Sequence, residues 1–319
     1  MLEPAIARAL ADTDRPLVIT GASGWLGLAT LDLLERALGA AFADRVQCFG
    51  SAPRDLDLGD GRVVRQRALA DLATVARPGA WVLHFAFLTK DRAEAMDDDA
   101  YRAANQQISD TVLAGLDAID AAAVFVASSG AAYKAEDPAA SPAMRLYGAM
   151  KREDEDRFAD WATARGKRAV IGRIFNITGP FINKHQAYAM ASFILDALAA
   201  RPIEVRAPRE VIRGYVAIRE LVSLIFALLA DAPSGVTRFD TGGEALELGA
   251  VAAVVAEVLE GPGVHRAPIT DPAADRYAGD AEAYAGLLAR HDIAPVPLAR
   301  QVHETAHYLQ VAHRYSAVT

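Results

Sequence analysis

Cysteine is all but missing from this chain of 319 residues: Cys48 stands alone, so no intrachain disulfide can form. The fold must then rest on a buried core, and the chemistry suits a reducing, cytoplasmic setting. Basic runs are missing too. Thirty-three lysines and arginines face 41 aspartates and glutamates, a net charge of −8, which argues against a nucleic-acid groove, because phosphate binding needs clustered cations. No zinc-finger spacing occurs, and there are no internal repeats and no low-complexity linker. The most apolar stretch, Val216 to Ala230, carries Arg219 and Glu220, so it reads as a buried helix and not a membrane span. The opening Met1-Leu-Glu-Pro-Ala-Ile-Ala-Arg8 has neither the basic start nor the long apolar core of a signal peptide. The expectation is a soluble intracellular protein whose partner is a small molecule.

What is present is alternation. Apolar strand-like runs at 17–20, 46–49, 62–66, 81–86, 124–127 and 170–175 are separated by helical patterns at 25–38, 69–76, 100–119 and 145–164. Continuous Val, Ile, Leu and Phe runs spaced by helices imply a parallel sheet covered on both faces. The fold class expected is therefore α/β: a doubly wound parallel sheet of Rossmann type, with a smaller α+β C-terminal lobe for substrate. In that second part helices are expected at 188–200, 218–230, 249–259, 280–290 and 298–309, with strands at 203–206, 211–216 and 236–241. The chain is read as crossing back, so residues 1–178 and 211–241 form the dinucleotide-binding domain and residues 179–210 and 242–319 the substrate lobe.

The first strand, Leu17-Val-Ile-Thr20, runs into Gly21-Ala-Ser-Gly24-Trp-Leu-Gly27 and then an amphipathic helix. A pyrophosphate must approach backbone closely there, and a helix N-terminus supplies N–H groups and partial positive charge. Gly21, Ser23, Gly24, Trp25, Leu26 and Gly27 are the candidate cofactor loop, with Leu69 and Ala86, near the ends of the third and fourth strands, as further contacts. An NAD site usually has an acid at the end of the second strand to hold the ribose. Here that strand ends Cys48-Phe-Gly-Ser51-Ala-Pro-Arg54. Ser51 and Arg54 suit a 2′-phosphate, so NADP is favoured over NAD, although Asp55 and Asp57 could serve NAD in a longer turn.

Tyr147 and Lys151 lie four apart on a predicted helix and share a face. A free tyrosine, with a pKa near ~10, is a poor base at neutral pH, and an adjacent ammonium favours its phenolate. Ser129, closing a preceding strand, can hydrogen-bond the same substrate oxygen. Ser129, Tyr147 and Lys151 are the candidate catalytic set, with Lys151 also a cofactor ligand.

With these motifs in hand, the chain resembles the extended short-chain dehydrogenase/reductase superfamily, in its NAD-dependent epimerase/dehydratase branch. The markers are the glycine loop, His84-Phe-Ala86, Asn105, Ser128-Ser129-Gly-Ala-Ala-Tyr133, Tyr147-x-x-x-Lys151, Arg173-Ile-Phe-Asn-Ile-Thr-Gly-Pro180 and Arg213-Gly-Tyr-Val-Ala-Ile-Arg-Glu220. The resemblance implies that Ser129, Tyr147 and Lys151 act as the family's catalytic residues. It implies that Asn176 and Arg213 hold the sugar and diphosphate of a nucleotide-sugar, and that Asn105 braces the active site. Lys90 and Asn105 join Asn176 and Arg213 as candidate substrate-side residues. The implied activity is an NAD(P)-dependent oxidoreductase or epimerase working on a sugar carbon, in a homodimer built through the helices of Asn105 and Tyr147. The alternatives are an NADP-dependent ketoreductase of a non-nucleotide substrate and a cofactor-binding sensor without catalysis. Gly130-Ala131 follow Ser129 where 4,6-dehydratases place Asp-Glu, which disfavours dehydration. No cysteine lies in this loop, which disfavours epimerisation next to a ketone. Gly214 and Glu220 replace a usual aspartate pair.

Three further signals are set aside. His303-Glu-Thr-Ala-His307 matches a zinc pattern but has no third ligand in view, and no metal is expected. Asp97-Asp-Asp99 reads as an acidic helix start. His185 reads as a loop histidine.

Overall fold

The computed structural model describes residues 1–231 and 234–316. It divides into two compact units, Met1–Ile174 with Val222–Asp240, and Phe175–Leu221 with Thr241–Thr319. Among the described residues no helix is long and apolar enough to cross a membrane.

The first unit runs α1 (Pro4–Ala11), β1 (Leu17–Thr20), α2 (Trp25–Leu38), α3 (Phe42–Arg45), β2 (Val46–Gly50), β3 (Arg54–Asp57), β4 (Val63–Ala68), α4 (Leu72–Val75), β5 (Trp81–His84), α5 (Lys90–Ala95), α6 (Asp98–Ala118), β6 (Ala123–Ser129), α7 (Pro142–Arg165) and β7 (Arg168–Ile174). Chain from the second unit follows: β8 (Asn176–Thr178), α8 (Ala189–Leu198), β9 (Ile203–Val205) and β10 (Val211–Ala217). Helix α9 (Ile218–Ala230) then leads into β11 (Gly235–Asp240), which completes the first unit's sheet. That sheet has eight strands in the order β11-β7-β6-β5-β1-β2-β4-β3. All neighbours are parallel except the β3–β4 hairpin. Strand order reverses between β1 and β5, the place where doubly wound sheets open a ligand crevice.

Burial explains why these runs became strands. Every residue of β1 and of β6 is buried, as central parallel strands covered on both faces require. On one face Val18, Val82, Val124, Val126 and Ile171 pack against Val112, Leu116 and Ile119 of α6 and its C-terminal cap and Phe158 and Trp161 of α7. Each such burial is worth roughly 1.5–3 kcal/mol. The helix ends are marked chemically. Asp97 caps α6 by accepting from Asp99 N and Ala100 N, and Ser141 caps α7 ahead of Pro142. Gly166, with φ at 61°, closes α7 in the left-handed conformation a side chain disfavours.

The second unit carries β8 and β10 in parallel, β12 (Ala245–Glu247) antiparallel to β10, and β14 (Asp275–Tyr277) parallel to it. A separate pair joins β9 to β13 (Val264–Arg266). Helices α10 (Leu248–Val258), α11 (Ala281–Arg290) and α12 (Leu298–Ser316) complete it.

Two boundaries differ from the sequence expectation. The sequence assigns β10, within 211–241, to the dinucleotide-binding domain, but it pairs only within the second unit. The reason is that β11 occupies the outer edge of β7 over six residues, Arg168 to Arg173, leaving that edge no room for β10. Likewise the first unit ends at Ile174, not at 178, because Asn176–Thr178 is β8.

Candidate active site

The glycine loop is built by contact, not by flexibility. Gly21 has φ at 71°, and a Cβ there would fall 2.5 Å from Ala86 N and 2.6 Å from the Phe85 carbonyl carbon. A Cβ on Gly27 would fall 2.5 Å from Ala22 O, so the first turn of α2 seats directly on the loop. Ala22 N donates to Phe49 O and Gly24 N to Gly21 O, at 3.2 and 3.0 Å. Gly24 caps α2 with no side-chain hydrogen bond, and it is exposed. A bare glycine cap with the helix's partial positive charge behind it is the cradle a pyrophosphate needs. Ser23 and Leu26 are half-buried beside it, and Trp25 is buried. These residues fit a dinucleotide.

At the end of β2, Gly50 makes room for Gln66: a Cβ would fall 2.4 Å from the Gln66 carboxamide. Gln66 is fully buried and donates to Ala52 O at 2.7 Å. No acid can stand there without displacing it. Arg54 opens β3 and donates to Ser51 Oγ at 3.4 Å, both residues being exposed. Of the two aspartates that could have served NAD, Asp55 pairs with Arg65 and Asp57 accepts from Gly59 N. Leu69 packs half-buried against the core.

Ser129 ends β6, and its Oγ accepts from Ala131 N at 3.2 Å, opening the tight turn Gly130–Lys134. Helix α7 crosses this turn in close contact: a Cβ on Gly148 would lie 2.1 Å from Ala131 O. That glycine stands next to Tyr147. Lys151, one turn on, is 5% exposed and donates from Nζ to Ala127 O of β6 at 2.7 Å. The Phe87 ring joins the pair, its centroid 3.6 Å from Lys151 Nζ and edge-on to Tyr147 at 6.0 Å. Ser129, Tyr147 and Lys151 are thus gathered around β6, Phe87 and the turn after Ser129. Phe87 in turn follows the Phe85–Ala86 segment that Gly21 touches. Burial pushes Lys151 down to about 8, against the Asp154 and Glu155 charges that favour its ammonium.

The substrate-side candidates fare differently. Asn105 is fully buried; Oδ1 accepts from Leu88 N at 2.8 Å and Nδ2 donates to Tyr101 O at 3.2 Å. With both ends of its amide engaged by backbone it braces the 85–89 segment. Lys90 is paired with Glu94 on the same short helix. In the second unit Asn176 Nδ2 donates to Gly214 O and Tyr277 O. Arg213 is engaged by Asp275, through its carboxylate at 2.7 Å and its carbonyl at 2.9 Å. Asn176 and Arg213 line a cavity of about 150 Å³ with Thr178, Tyr188, Met190 and Tyr215.

The other signals have local explanations. His185 Nε2 donates to Ile182 O at 2.8 Å. On α12, His303 and His307 are exposed, and Glu304 bonds Arg219 and Arg300. Among the described residues no group of three metal-ligating side chains forms. Glu220 is buried and accepts from Val296 N at 2.5 Å, and burial raises its carboxyl.

Sequence reasoning names His84, Ser128, Tyr133 and Arg173 as markers but assigns no role to the layer beneath the site. Glu155 accepts from Ser128 Oγ and from both Nε and Nη2 of the Arg173 guanidinium. Arg173 lies 4.5 Å from the Tyr133 ring, whose hydroxyl donates to Asp240. Asp154 and His84 are buried as well. The signal is available in the spacing: Asp154 and Glu155 stand three and four residues after Lys151, on its helix face.

A glycine cradle at the reversal point of a doubly wound parallel sheet, beside a buried lysine and a tyrosine, defines a dinucleotide-binding α/β protein. Residues 17–242 match the NAD dependent epimerase/dehydratase family, and the chain belongs to that family. Solved structures agree in fold. An epimerase from Methanothermobacter thermautotrophicus aligns with TM-score 0.72 at 16% identity, covering 99% of this chain and 97% of its own. A UDP-N-acetylglucosamine 4-epimerase from Methanobrevibacter ruminantium M1, solved with UDP-N-acetylmuramic acid, aligns with TM-score 0.70 at 18% identity, over 94% and 99%. A UDP-glucose 4-epimerase from Thermus thermophilus, in complex with NAD, gives 0.68 at 22%, over 92% and 99%. At these identities the likeness is one of fold. A search of curated protein sequences found no match.

Proposed function

We propose that this protein is an NAD(P)-dependent epimerase or oxidoreductase that works on a sugar carbon of a nucleotide-sugar, with Ser129, Tyr147 and Lys151 as its catalytic residues. The observation that carries the reading is the shared seat of Tyr147 and Lys151 around Phe87, one residue from the segment packed against Gly21. Family membership and nucleotide-sugar epimerases of the same fold support it.

Gly21, Gly24 and Gly27 with the α2 N-terminus would hold the pyrophosphate, and Lys151 the nicotinamide ribose. A bound nicotinamide dinucleotide supplies the hydride acceptor and donor. Tyr147 exchanges a proton with the substrate hydroxyl, acting as base in oxidation and acid in reduction. The Lys151 ammonium favours the phenolate that makes Tyr147 a base. The Ser129 hydroxyl donates to the same substrate oxygen and steadies charge gathering there. Phe87 keeps water from Lys151 Nζ and so strengthens that field. In the second unit, Asn176 and Arg213 are the candidates for the nucleotide portion, Arg213 exchanging Asp275 for a diphosphate. Among cofactors NADP is favoured, because Gly50 stands where an acid would be and Arg54 with Ser51 is poised for a 2′-phosphate. That observation also favours the second reading, a ketoreductase.

The experiment is to mix purified protein, NAD or NADP, and a panel of nucleotide-sugars, following reduced-nicotinamide absorbance and the sugar products. Product without net cofactor change means an epimerase; stoichiometric consumption means a reductase or dehydrogenase. Cofactor binding with no product from any sugar would end the nucleotide-sugar reading and leave the ketoreductase of another substrate or the sensor.

A further inference from the structure

Beneath Lys151 lies a group of buried polar side chains contributed by four elements. His84, the last residue of β5, is 2% exposed, and Thr20 Oγ1 of β1 lies 2.8 Å from its Nδ1. Asp154 of α7 is 3% exposed, and its Oδ1 accepts a hydrogen bond from Ser109 of α6. The two remaining atoms, His84 Nε2 and Asp154 Oδ2, face each other at 3.8 Å. Neither has a hydrogen-bond partner among the described residues. An orphaned buried donor or acceptor is destabilising, so a facing pair of them needs a reason.

Their surroundings supply one. Burial keeps the His84 ring neutral, and the Lys151 charge acts in the same direction. Burial raises the Asp154 carboxyl, and the Lys151 charge opposes that rise by favouring the carboxylate. Lys151 is thus the cation both groups sense. Asp154 also stands three residues after Lys151 on the same helix, within side-chain reach. His84 immediately precedes the Phe85–Ala86 segment that packs on Gly21 and Phe87 that covers Lys151 Nζ. The other charged groups around this seat are Glu155 on α7, which is tied to Arg173 of β7 and Ser128 of β6, and Arg157 on α7, which pairs with Asp110 of α6. Both carboxylates favour the Lys151 ammonium, but Glu155 is shared with a guanidinium. Asp154 is the one with no cationic side chain bonded to it among the described residues.

We propose that Asp154, backed by His84, is the positioning residue of this site: it holds the Lys151 ammonium in its buried seat, and His84 acts through it. With the imidazole neutral and Thr20 donating to Nδ1, the ring proton sits on Nε2, on the side that faces Asp154 Oδ2 at 3.8 Å, and there it favours the carboxylate form beside the amine. The inference deepens the proposed function by adding two residues that never touch substrate, and it rests on Lys151 having the role given there.

The test reads Lys151 directly and needs no substrate. The chain has only five lysines, Lys90, Lys134, Lys151, Lys167 and Lys184, so protein labelled with carbon-13 at lysine Cε gives a spectrum in which Lys151→Arg assigns the buried signal. Asp154→Asn keeps shape and the Ser109 contact. It is expected to lower the proton affinity of Lys151 about tenfold or more, one pH unit, while Asp154→Glu restores much of it. His84→Asn is expected to shift the midpoint the same way by less, and to add nothing in the Asp154→Asn background. An unmoved Lys151 midpoint in folded Asp154→Asn protein, or additive effects of the two substitutions, would overturn the proposal. If Asp154→Asn does not fold, the His84→Asn and Ser109→Ala midpoints decide, and unmoved values for both count against it. The two readings fail separately. A shifted Lys151 in a protein that turns over no sugar defeats the reaction, and an unshifted one in an active enzyme defeats this pair.

Discussion

At the scale of single residues, the buried amine of Lys151 ties stability and turnover to pH with opposite signs. Its folded value of about 8 lies below the ordinary lysine value of 10.5. Below pH 8 both folded and unfolded chains carry the proton; between about 8 and 10.5 the unfolded chain binds a proton that the folded one has released. Stability from this group therefore rises with pH across that window. Turnover is expected to fall through it, because the ammonium that favours the Tyr147 phenolate is being lost. Denaturant melts and a rate profile over the same buffers check both limbs, and Lys151→Met should erase the stability slope. Arg54→Ala is expected to weaken NADP at least about tenfold, the ~1.4 kcal/mol of one charge-assisted contact, and to leave NAD unchanged in a calorimetric titration. The candidate catalytic residues are legible in the sequence because glycine spacing and the Tyr-x-x-x-Lys interval map directly onto a loop and a helix face. Phe87 and His84 are not, and of Asp154 the spacing gives only the shared helix face with Lys151. The rest comes from three-dimensional neighbours, and an apolar ring over an amine looks like any core phenylalanine in a sequence.

At the scale of elements, the placement of α7 is the quantity that matters, because one helix carries Tyr147, Lys151, Asp154 and Glu155. Its distance from the Gly130–Lys134 turn is set by Gly148. Gly148→Ala should force the helix off Ala131 O, lowering stability by about 1–3 kcal/mol and turnover by more than the loss of folded protein explains. Gly286→Ala is the control: that helical glycine has open space for a Cβ, so the change should be neutral or stabilising by up to about 1 kcal/mol. Thermal melts of the two variants, with rates measured on the folded fraction, separate the cases. Long periodic elements are readable in the sequence: the pattern at 25–38 becomes α2, Trp25–Leu38, and the run at 17–20 becomes β1, Leu17–Thr20. Short ones are not. The β3 strand, Arg54–Asp57, has one buried side chain, Leu56, and forms because β4 offers an edge. The strands β12, β13 and β14 have three residues each, too few for alternation to stand out.

At the scale of the whole molecule, the chain order makes the first unit discontinuous, and this sets what can be removed. A fragment ending at 174 lacks β11 and leaves β7, five of whose first six residues are buried beside it, as an open apolar edge. Such an edge invites association. The fragment is expected to aggregate, and the same fragment joined through a short linker to residues 222–240 is expected to give a more soluble, folded sheet by circular dichroism and light scattering. The doubly wound class is legible because alternation of apolar runs with amphipathic helices leaves few topologies open. The exact crossing between units is hidden because 211–216 reads as a strand without saying which sheet it belongs to, and only pairing partners tell which one it joins. The proposed function turns on Tyr147 moving the proton while the glycine loop, and not the phenol, holds the cofactor. The most direct measurement compares wild type with Tyr147→Phe, reading turnover of the best nucleotide-sugar and cofactor affinity by calorimetry on the same samples. The expected result is turnover abolished and cofactor affinity nearly intact. Wild-type rates in Tyr147→Phe, or no binding of either nicotinamide dinucleotide by the wild type, would contradict it.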